Sequence, residues 1–541
     1  MKSNKEIAKY FQDLGNIMEL HKDNPFKIRS YKNAYLTIRK LREPLSSMNE
    51  AEILEIKGVG KNIANKISEI LSTGEMATLN KFKEKTPTGV QEMLQLKGFG
   101  AKKIYTVWKD LGAESIGELL YACNENRLIE LKGFGAKTQE QLINTLNYFI
   151  ESKGRMHYAR AQEKADEIKK YISEKIPGIT ISEIGGLRRK NIIVDQLEFL
   201  TPQQDLQNIF DDTLLLNKQN GENYHCVLDS LPFEITTCSE KEYINHLFEL
   251  TGPSAFTVSF KLSEIYSSEQ AIFEKHNLPF IPTEARDIPK VISQTNLLEG
   301  LIELEDIKGI IHNHSTYSDG INTLEEMAQA CKSEGYEYLV MSDHSKSAVY
   351  ANGLQVERVY QQMKEIDSLN EQMAPFKIFK SIESDILASG ALDYEEDVLK
   401  TFDLVIASVH SSLKMEKEKA TQRIITAIEN PYTTILGHPS GRLLLARKGY
   451  DLDYQKVIDA CAANQVVIEL NANPYRLDLD PQWIPYAMEK GVLISINPDA
   501  HSTGGIADIK YGVLAARKGG LQKTSCFCAL NLEEFTSFIN T

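Results

Sequence analysis

The stretch IKGIIHNHSTYSDG (307–320) runs from an apolar strand into a polar loop carrying two histidines one residue apart and an aspartate five residues later. Six further segments repeat the plan: YEYLVMSDHS (336–345), FKIFKSIESD (376–385), FDLVIASVHS (402–411), TTILGHPS (433–440), VVIELNANP (466–474) and GVLISINPDAHS (491–502). Amphipathic helical stretches lie between them, so the pattern predicts a barrel-like (β/α)7 domain. In such barrels functional groups gather at the carboxyl ends of the strands. That is where His312, His314, His344, Glu383, His410, His438, Asp499 and His501 stand, with Asp319 in the first loop. Of eleven histidines in the chain, the six after residue 300 are all in this set. Six convergent imidazoles with three carboxylates point to a metal centre, and this donor mixture suits manganese, zinc or iron better than magnesium.

The motif His312-Asn313-His314-Ser315-Thr316-Tyr317-Ser318-Asp319-Gly320 resembles the H-x-H-S-x-x-S-D-G signature of the PHP (polymerase and histidinol phosphatase) superfamily. Ser342-Asp343-His344, Glu383, Ser408-Val409-His410, His438-Pro439 and Asp499-Ala500-His501 follow in the family's order. The resemblance implies two or three divalent metals, with Mn2+ first and Zn2+ or Fe2+ next. It implies that all nine residues are ligands, that Glu383 bridges a metal pair, and that Glu383, Asp319 and Asp499 are the catalytic carboxylates. Arg442 and Arg476 are candidate phosphate clamps, against an ordinary salt-bridge role for either.

The amino-terminal third carries a repeat: LEIKGVGKNIANKI (54–67), LQLKGFGAKKIYTV (94–107) and LIELKGFGAKTQEQLI (128–143). Each reads as helix, tight G-x-G hairpin, helix. Glycine lets a backbone approach a ligand closely, and the next helix opens with outward N–H groups suited to a phosphate. These copies resemble helix-hairpin-helix motifs, which hold DNA backbones without reading sequence. The candidate DNA-binding residues are Lys57, Gly58, Gly60 and Lys61, then Lys97, Gly98 and Gly100, then Lys132, Gly133 and Gly135. Residues 1–150 hold 23 Lys/Arg against 18 Asp/Glu, whereas the whole chain carries a net charge of −14, so the basic part is local to the hairpins.

NPFKIRSYKNAYLTIRKL (24–41) with KGVGKNIANKISEILSTGEM (57–76) resembles the small amino-terminal domain of family X DNA polymerases. That resemblance implies binding of gapped DNA and places the family's Schiff-base lyase lysine on Lys66, with Asn62 where family members have a second lysine. A solvated, DNA-facing Lys66 is the alternative. ISEIGGLRRKNIIVDQLEFL (181–200) continues the resemblance into the polymerase palm. Family members have Gly-Ser-x-Arg-Arg here, then two aspartates one residue apart on a strand and a third on a neighbouring strand. Positions i and i+2 share a strand face, so the pair can hold two magnesium ions about 4 Å apart. In this chain Gln196, Glu198 and Glu234 fall at those positions, and Gly186 replaces the serine. Magnesium tolerates little departure from octahedral geometry, so the palm reads as catalytically degenerate.

The resulting expectation is a multidomain chain: an all-α helix-hairpin-helix region, an α+β nucleotidyltransferase-like palm and a PHP barrel. Expected boundaries are 1–85 (lyase-like), 86–155 (fingers-like), 156–245 (palm), 246–290 (thumb-like), 291–307 (linker) and 308–541 (PHP). Seven scattered cysteines form no C-x-x-C pair, which argues against disulfides and a zinc clip. No signal-type or membrane-length apolar run occurs, so a cytoplasmic protein is expected. The expected function is metal-dependent DNA phosphodiester hydrolysis, as a 3′→5′ exonuclease extending to 3′-end processing or abasic-site cleavage in repair. Its partner is gapped, nicked or 3′-ended DNA of any sequence, with no membrane. An active gap-filling polymerase with a proofreading PHP exonuclease, a phosphomonoesterase such as histidinol phosphatase, and a non-catalytic DNA scaffold remain as alternatives.

Overall fold

The computed structural model describes the chain except residues 1, 42, 97, 98, 130, 132, 152, 153, 204, 230 and 541. It divides into two compact units, Met1–Asn147 and Tyr148–Thr541.

The first unit is helical. Asn4–Leu20 begins with a capping box in which Ser3 and Glu6 satisfy each other's backbone N–H groups. Its apolar face, with Ile7, Phe11 and Leu14, is buried, and Pro25–Ile38, started by Asn24 and a proline, buries Tyr31, Ala34 and Ile38. In the first hairpin Glu50–Glu55 leads through Gly58, at φ +90°, into Lys61–Thr73. In the second, Thr88–Met93 leads into Ala101–Lys109, and the third opens Ala136–Glu151. Phe99 and Phe134, at the tips of the second and third hairpins, pack with ring centroids 6.3 Å apart.

The second unit opens with the palm. A ribbon pairs β1 (Met156–His157) with β3 (Ile193–Val194). A five-stranded mixed sheet has the order β2-β4-β7-β6-β5, where β2 is Ser182–Glu183, β4 Leu197–Thr201, β5 Leu214–Asn220, β6 Asn223–Leu228 and β7 Leu231–Thr237. Its strands alternate buried and open positions, and the helix Tyr158–Lys175 covers the apolar face through Ala161, Ala165, Ile168 and Ile172. Phe248, Phe256, Phe260 and Phe273 form a separate aromatic core in the following helices.

Seven parallel strands then build the barrel: β8 (Gly309–Ile310), β9 (Tyr338–Met341), β10 (Lys377–Asp385), β11 (Leu404–Ser408), β12 (Ile435–Leu436), β13 (Val467–Asn471) and β14 (Ile494–Asn497). They are paired in sequence order from β8 to β14. A bridge between Asn313 and Ala500 joins the two ends just beyond the strands. β9, β11, β13 and β14 are buried along their whole length, as expected of parallel strands covered by helices. Within the stretch 291–307, Ile302 is fully buried, its N–H donates to Leu521, and Arg517 donates to its carbonyl at 2.8 Å. All seven cysteines are buried and unpaired. Among the described residues, no helix is long and apolar enough to cross a membrane.

Candidate metal centre

Each candidate ligand sits where its strand ends. His312 and His314 follow β8, His344 follows β9, Glu383 lies in β10, His410 follows β11, His438 follows β12, and Asp499 and His501 follow β14. His312 and Asp499 adopt left-handed backbone conformations, φ +63° and +53°. Such conformations in non-glycine residues cost about 1–3 kcal/mol and persist where surrounding structure imposes them.

Glu383 is at the middle of the cluster. Its Oε1 lies 3.2 Å from His312 Nε2, 3.2 Å from His410 Nε2 and 3.0 Å from His438 Nε2. Its Oε2 lies 2.8 Å from His344 Nδ1 and 3.7 Å from His314 Nε2. One carboxylate therefore serves two groups of imidazoles, the disposition of a bridging ligand. Three sets of donor atoms fall within 4.8 Å of one another: His314, Asp319, His344 and His501; His312, His314 and Asp499; His344, Glu383 and His410. All nine side chains converge.

The donor set fits divalent cations. The buried Nε2 of His312, both ring nitrogens of His344 and Oε2 of Glu383 make no hydrogen bond of good geometry. Buried polar atoms are normally satisfied, so these atoms are candidate ligand positions. Burial, aided by His501 and His344, pushes His314 down to about 3, which keeps it neutral as metal binding requires. His410 goes the other way, to about 9, because Glu383 and Asp385 outweigh its burial. Burial alone would raise Glu383, yet His410, His312 and His344 hold it well below the usual carboxylate range.

A supporting shell holds these ligands. Glu469 Oε2 lies 2.6 Å from His312 Nδ1, and Asp385 Oδ1 lies 2.5 Å from His410 Nδ1. Such carboxylate–histidine pairs select the tautomer that offers the other nitrogen to a metal. Asp343 accepts from the N–H and hydroxyl groups of both Ser315 and Ser318, which pins the first loop. Glu469, Asp385 and the anchoring role of Asp343 are absent from the sequence reading. The only signal for Glu469 is a lone acid inside the apolar run VVIELN.

The two phosphate-clamp candidates part company. Arg442 donates to Asp480 and to the carbonyls of Arg476 and Leu477, so its guanidinium fastens the 476–480 loop. Arg442 thus has the internal salt-bridge role that was its alternative reading. Arg476 is buried, its Nε 3.8 Å from Asp499 Oδ2.

In the palm, Glu198 and Glu234 are register partners across parallel β4 and β7. Gln196 donates to Glu234 at 3.4 Å, and His225 Nδ1 lies 3.1 Å from the same oxygen. The three residues thus meet. Burial, then Glu234, raises the Glu198 carboxyl. The neighbouring arginines are engaged: Arg188 contacts Glu269 at 2.5 Å, while Arg189 contacts Asp287 at 3.3 Å and the Thr251 carbonyl.

In the hairpins Lys57 and Lys61 are exposed. A Cβ added at Gly60, Gly100, Gly133 or Gly135 would meet nothing within 4 Å. Gly60 and Gly100 also have φ of −84° and −77°, open to any residue, so neither packing nor backbone requires glycine there. Lys97, Gly98 and Lys132 lie outside the described residues. Lys66 is half-buried, donates to Thr78 at 2.6 Å, and has its ammonium pushed down by burial against the opposing pull of Glu69.

Comparison with known proteins matches residues 2–76 to a helix-hairpin-helix domain, 90–147 to a SAM-like helix-hairpin-helix tandem and 311–473 to a PHP domain. A relative from Bacillus subtilis, DNA polymerase/3′-5′ exonuclease PolX, is 33% identical over 565 residues, covering 99% of each chain. A probable phosphatase from Thermoanaerobacter sp. is 28% identical over 222 residues, 39% of this chain and 85% of its own. A probable phosphatase from Acetivibrio thermocellus is 29% identical over 202 residues, 35% of this chain and 78% of its own. With helix-hairpin-helix domains ahead of a PHP domain and 33% identity over 99% of a full-length relative, the chain belongs to the bacterial PolX family of family X DNA polymerases with a carboxyl-terminal PHP domain.

Proposed function

We propose that this protein removes nucleotides from DNA 3′ ends by metal-dependent phosphodiester hydrolysis in the PHP barrel, in the service of repair, and that its palm no longer polymerises. The observation that carries the reading is the buried Glu383 carboxylate facing two sets of imidazoles, in a chain that also bears three hairpins suited to DNA backbones.

All nine candidate ligands would hold the metals, with manganese as the expected ion. A metal bound there supplies Lewis acidity toward the phosphate and a water acidified into the neutral range. The protein's own residues do the positioning. Glu383 ties the two ligand groups together, Glu469 and Asp385 orient His312 and His410, and the buried Arg476 adds positive charge beside Asp499. Lys57, Lys61 and the hairpin N–H groups would grip the backbone without sequence preference. Gapped, nicked and 3′-overhang DNA, 5′-end-labelled and incubated with manganese-loaded full-length protein, should be shortened from the 3′ end. His344→Ala and Glu383→Ala should each lower the rate at least a hundredfold, about 2.7 kcal/mol of transition-state stabilisation. Full activity in either variant rules the assignment out.

Loss of polymerisation is supported by Gln196, Glu198 and Glu234 where three aspartates serve the family, and by Arg188 and Arg189 being spent on Glu269 and Asp287. Nucleotidyl transfer depends mainly on positioned metals, so little catalysis survives without their cradle. Primer extension in a His344→Ala background, where exonuclease cannot erase products, should be absent. Robust extension there would reinstate the active-polymerase alternative. The likeness of the barrel to probable phosphatases favours phosphomonoester hydrolysis as the second reading. Release of inorganic phosphate without nucleotides would select it.

A further inference from the structure

The rim of the metal centre carries large apolar side chains that the fold does not bury. Val349 and Tyr350 lie on the turn Val349–Ala351 after β9, exposed at 80% and 39%, and Ile321 in the loop after β8 is exposed at 54%. The turn is rigidly built. Its neighbours Ala348 and Leu354 are fully buried, and Gly353 lies so close to Ser345 that a Cβ would come within 2.0 Å of the Ser345 carbonyl oxygen. Arg358 donates to the Asn352 carbonyl at 2.9 Å and to that of Tyr317, and Asn352 donates to Tyr317 and Ser318 at 3.3 and 3.4 Å.

The same segment is bonded directly to the candidate ligands. Leu354 N–H donates to the carbonyl of His344, Ser347 donates to Asp385, the carboxylate that holds His410, and Ile321 N–H donates to the carbonyl of His501. The Tyr350 ring centroid is 6.2 Å from that of His344 and 6.5 Å from that of His410. A tyrosine ring that close to the ligands and still 39% exposed is placed to meet whatever is attached next to a phosphate held by them. In a DNA strand that group is a nucleoside, and bases stack on aromatic side chains regardless of sequence.

We propose that Tyr350, flanked by Val349, is a stacking platform for the nucleobase of the 3′-terminal nucleotide and so selects a DNA end over a small phosphate ester. This rests on the nuclease reading above. The platform contributes to substrate binding, and its effect belongs in KM, because a base stacks equally in ground and transition states.

The test uses manganese-loaded full-length protein and two single-stranded oligonucleotides, one with an ordinary 3′ nucleotide and one whose last sugar is abasic. The wild type should show a KM about ten- to a hundredfold lower for the ordinary end. Tyr350→Ala should abolish that difference, and Tyr350→Phe should keep it, since the ring and not the hydroxyl makes the contact. A full preference surviving in Tyr350→Ala, an equal loss on both oligonucleotides, or a Phe variant as defective as Ala would each overturn the platform. Failure of the wild type to shorten either oligonucleotide would instead overturn the nuclease reading itself.

Discussion

Glu469 is the residue whose chemistry extends furthest beyond its own strand. Fully buried in β13, its carboxylate accepts from Asn471, Asn497 and the His438 backbone N–H while holding His312 Nδ1. A glutamine would turn an N–H2 toward one of these donors and leave a buried clash of like groups. Glu469→Gln should lower manganese affinity about ten- to a hundredfold, measured by titration of the apo protein. An unchanged affinity would mean that His312 needs no such orientation. Arg442 shows the same use of charge inside the fold. Its guanidinium donates to Asp480 and to the carbonyls of Arg476 and Leu477, which fastens one loop of the rim to the next.

At the scale of elements, the hairpins pose a clear contrast between stability and binding. Gly60 and Gly100 are helix N-caps, a position where threonine is at least as favourable for folding. Since nothing in the protein lies within 4 Å of a Cβ at either site, Gly60→Thr with Gly100→Thr should leave the melting temperature unchanged or slightly raised. Gapped-DNA affinity, read by fluorescence anisotropy, should nevertheless fall by roughly tenfold, about 1.4 kcal/mol, as the new side chains hold the phosphate backbone off. Undiminished affinity would place the DNA elsewhere. In the barrel the equivalent economy is at Gly309 and Gly320, where a Cβ would strike the Tyr338 ring at 1.9 Å and the His314 carbonyl oxygen at 2.4 Å.

For the molecule as a whole, an ion network joins the palm and the helices after it to the barrel. Glu284 pairs with Arg517 at 2.8 Å and Lys190 at 3.2 Å, and Asp287 pairs with Lys518 at 2.6 Å. Burial pushes Glu284 up, but Lys190 and Arg517 prevail and hold it down to about 2. A carboxyl depressed in the folded state adds stability that is complete above its ordinary value of 4.5 and is lost as pH falls toward 2. Thermal unfolding of the second unit should therefore weaken across that window. Glu284→Gln should flatten the pH dependence there and cost about 1–3 kcal/mol at neutral pH, because Lys190 and Arg517 lose a charged partner while Arg517 keeps Glu303 at 2.5 Å. A parallel pH profile in the variant would show that other carboxylates govern acid sensitivity.

What the amino-acid sequence determined alone was everything encoded by local spacing. Seven apolar strands ending in polar loops, the nine candidate ligand residues and the lysine–glycine hairpins are all short-range patterns, and strand and helix periodicities act over a few residues. The positions of Gln196, Glu198 and Glu234 came instead from the resemblance to family X polymerases, and in the structure Gln196 donates to Glu234, the register partner of Glu198. The tertiary structure alone decided which side chains support that centre. Glu469 reaches His312 across 157 residues, Asp385 reaches His410 from the adjacent strand, and Asn313 meets Ala500 to join the barrel's ends. It likewise bonded Ile302 to Leu521 and drew Arg188, Arg189 and Arg442 into internal ion pairs. An acid or arginine has no local signature for its partner; that choice is made when distant strand ends come together and buried charge must be satisfied.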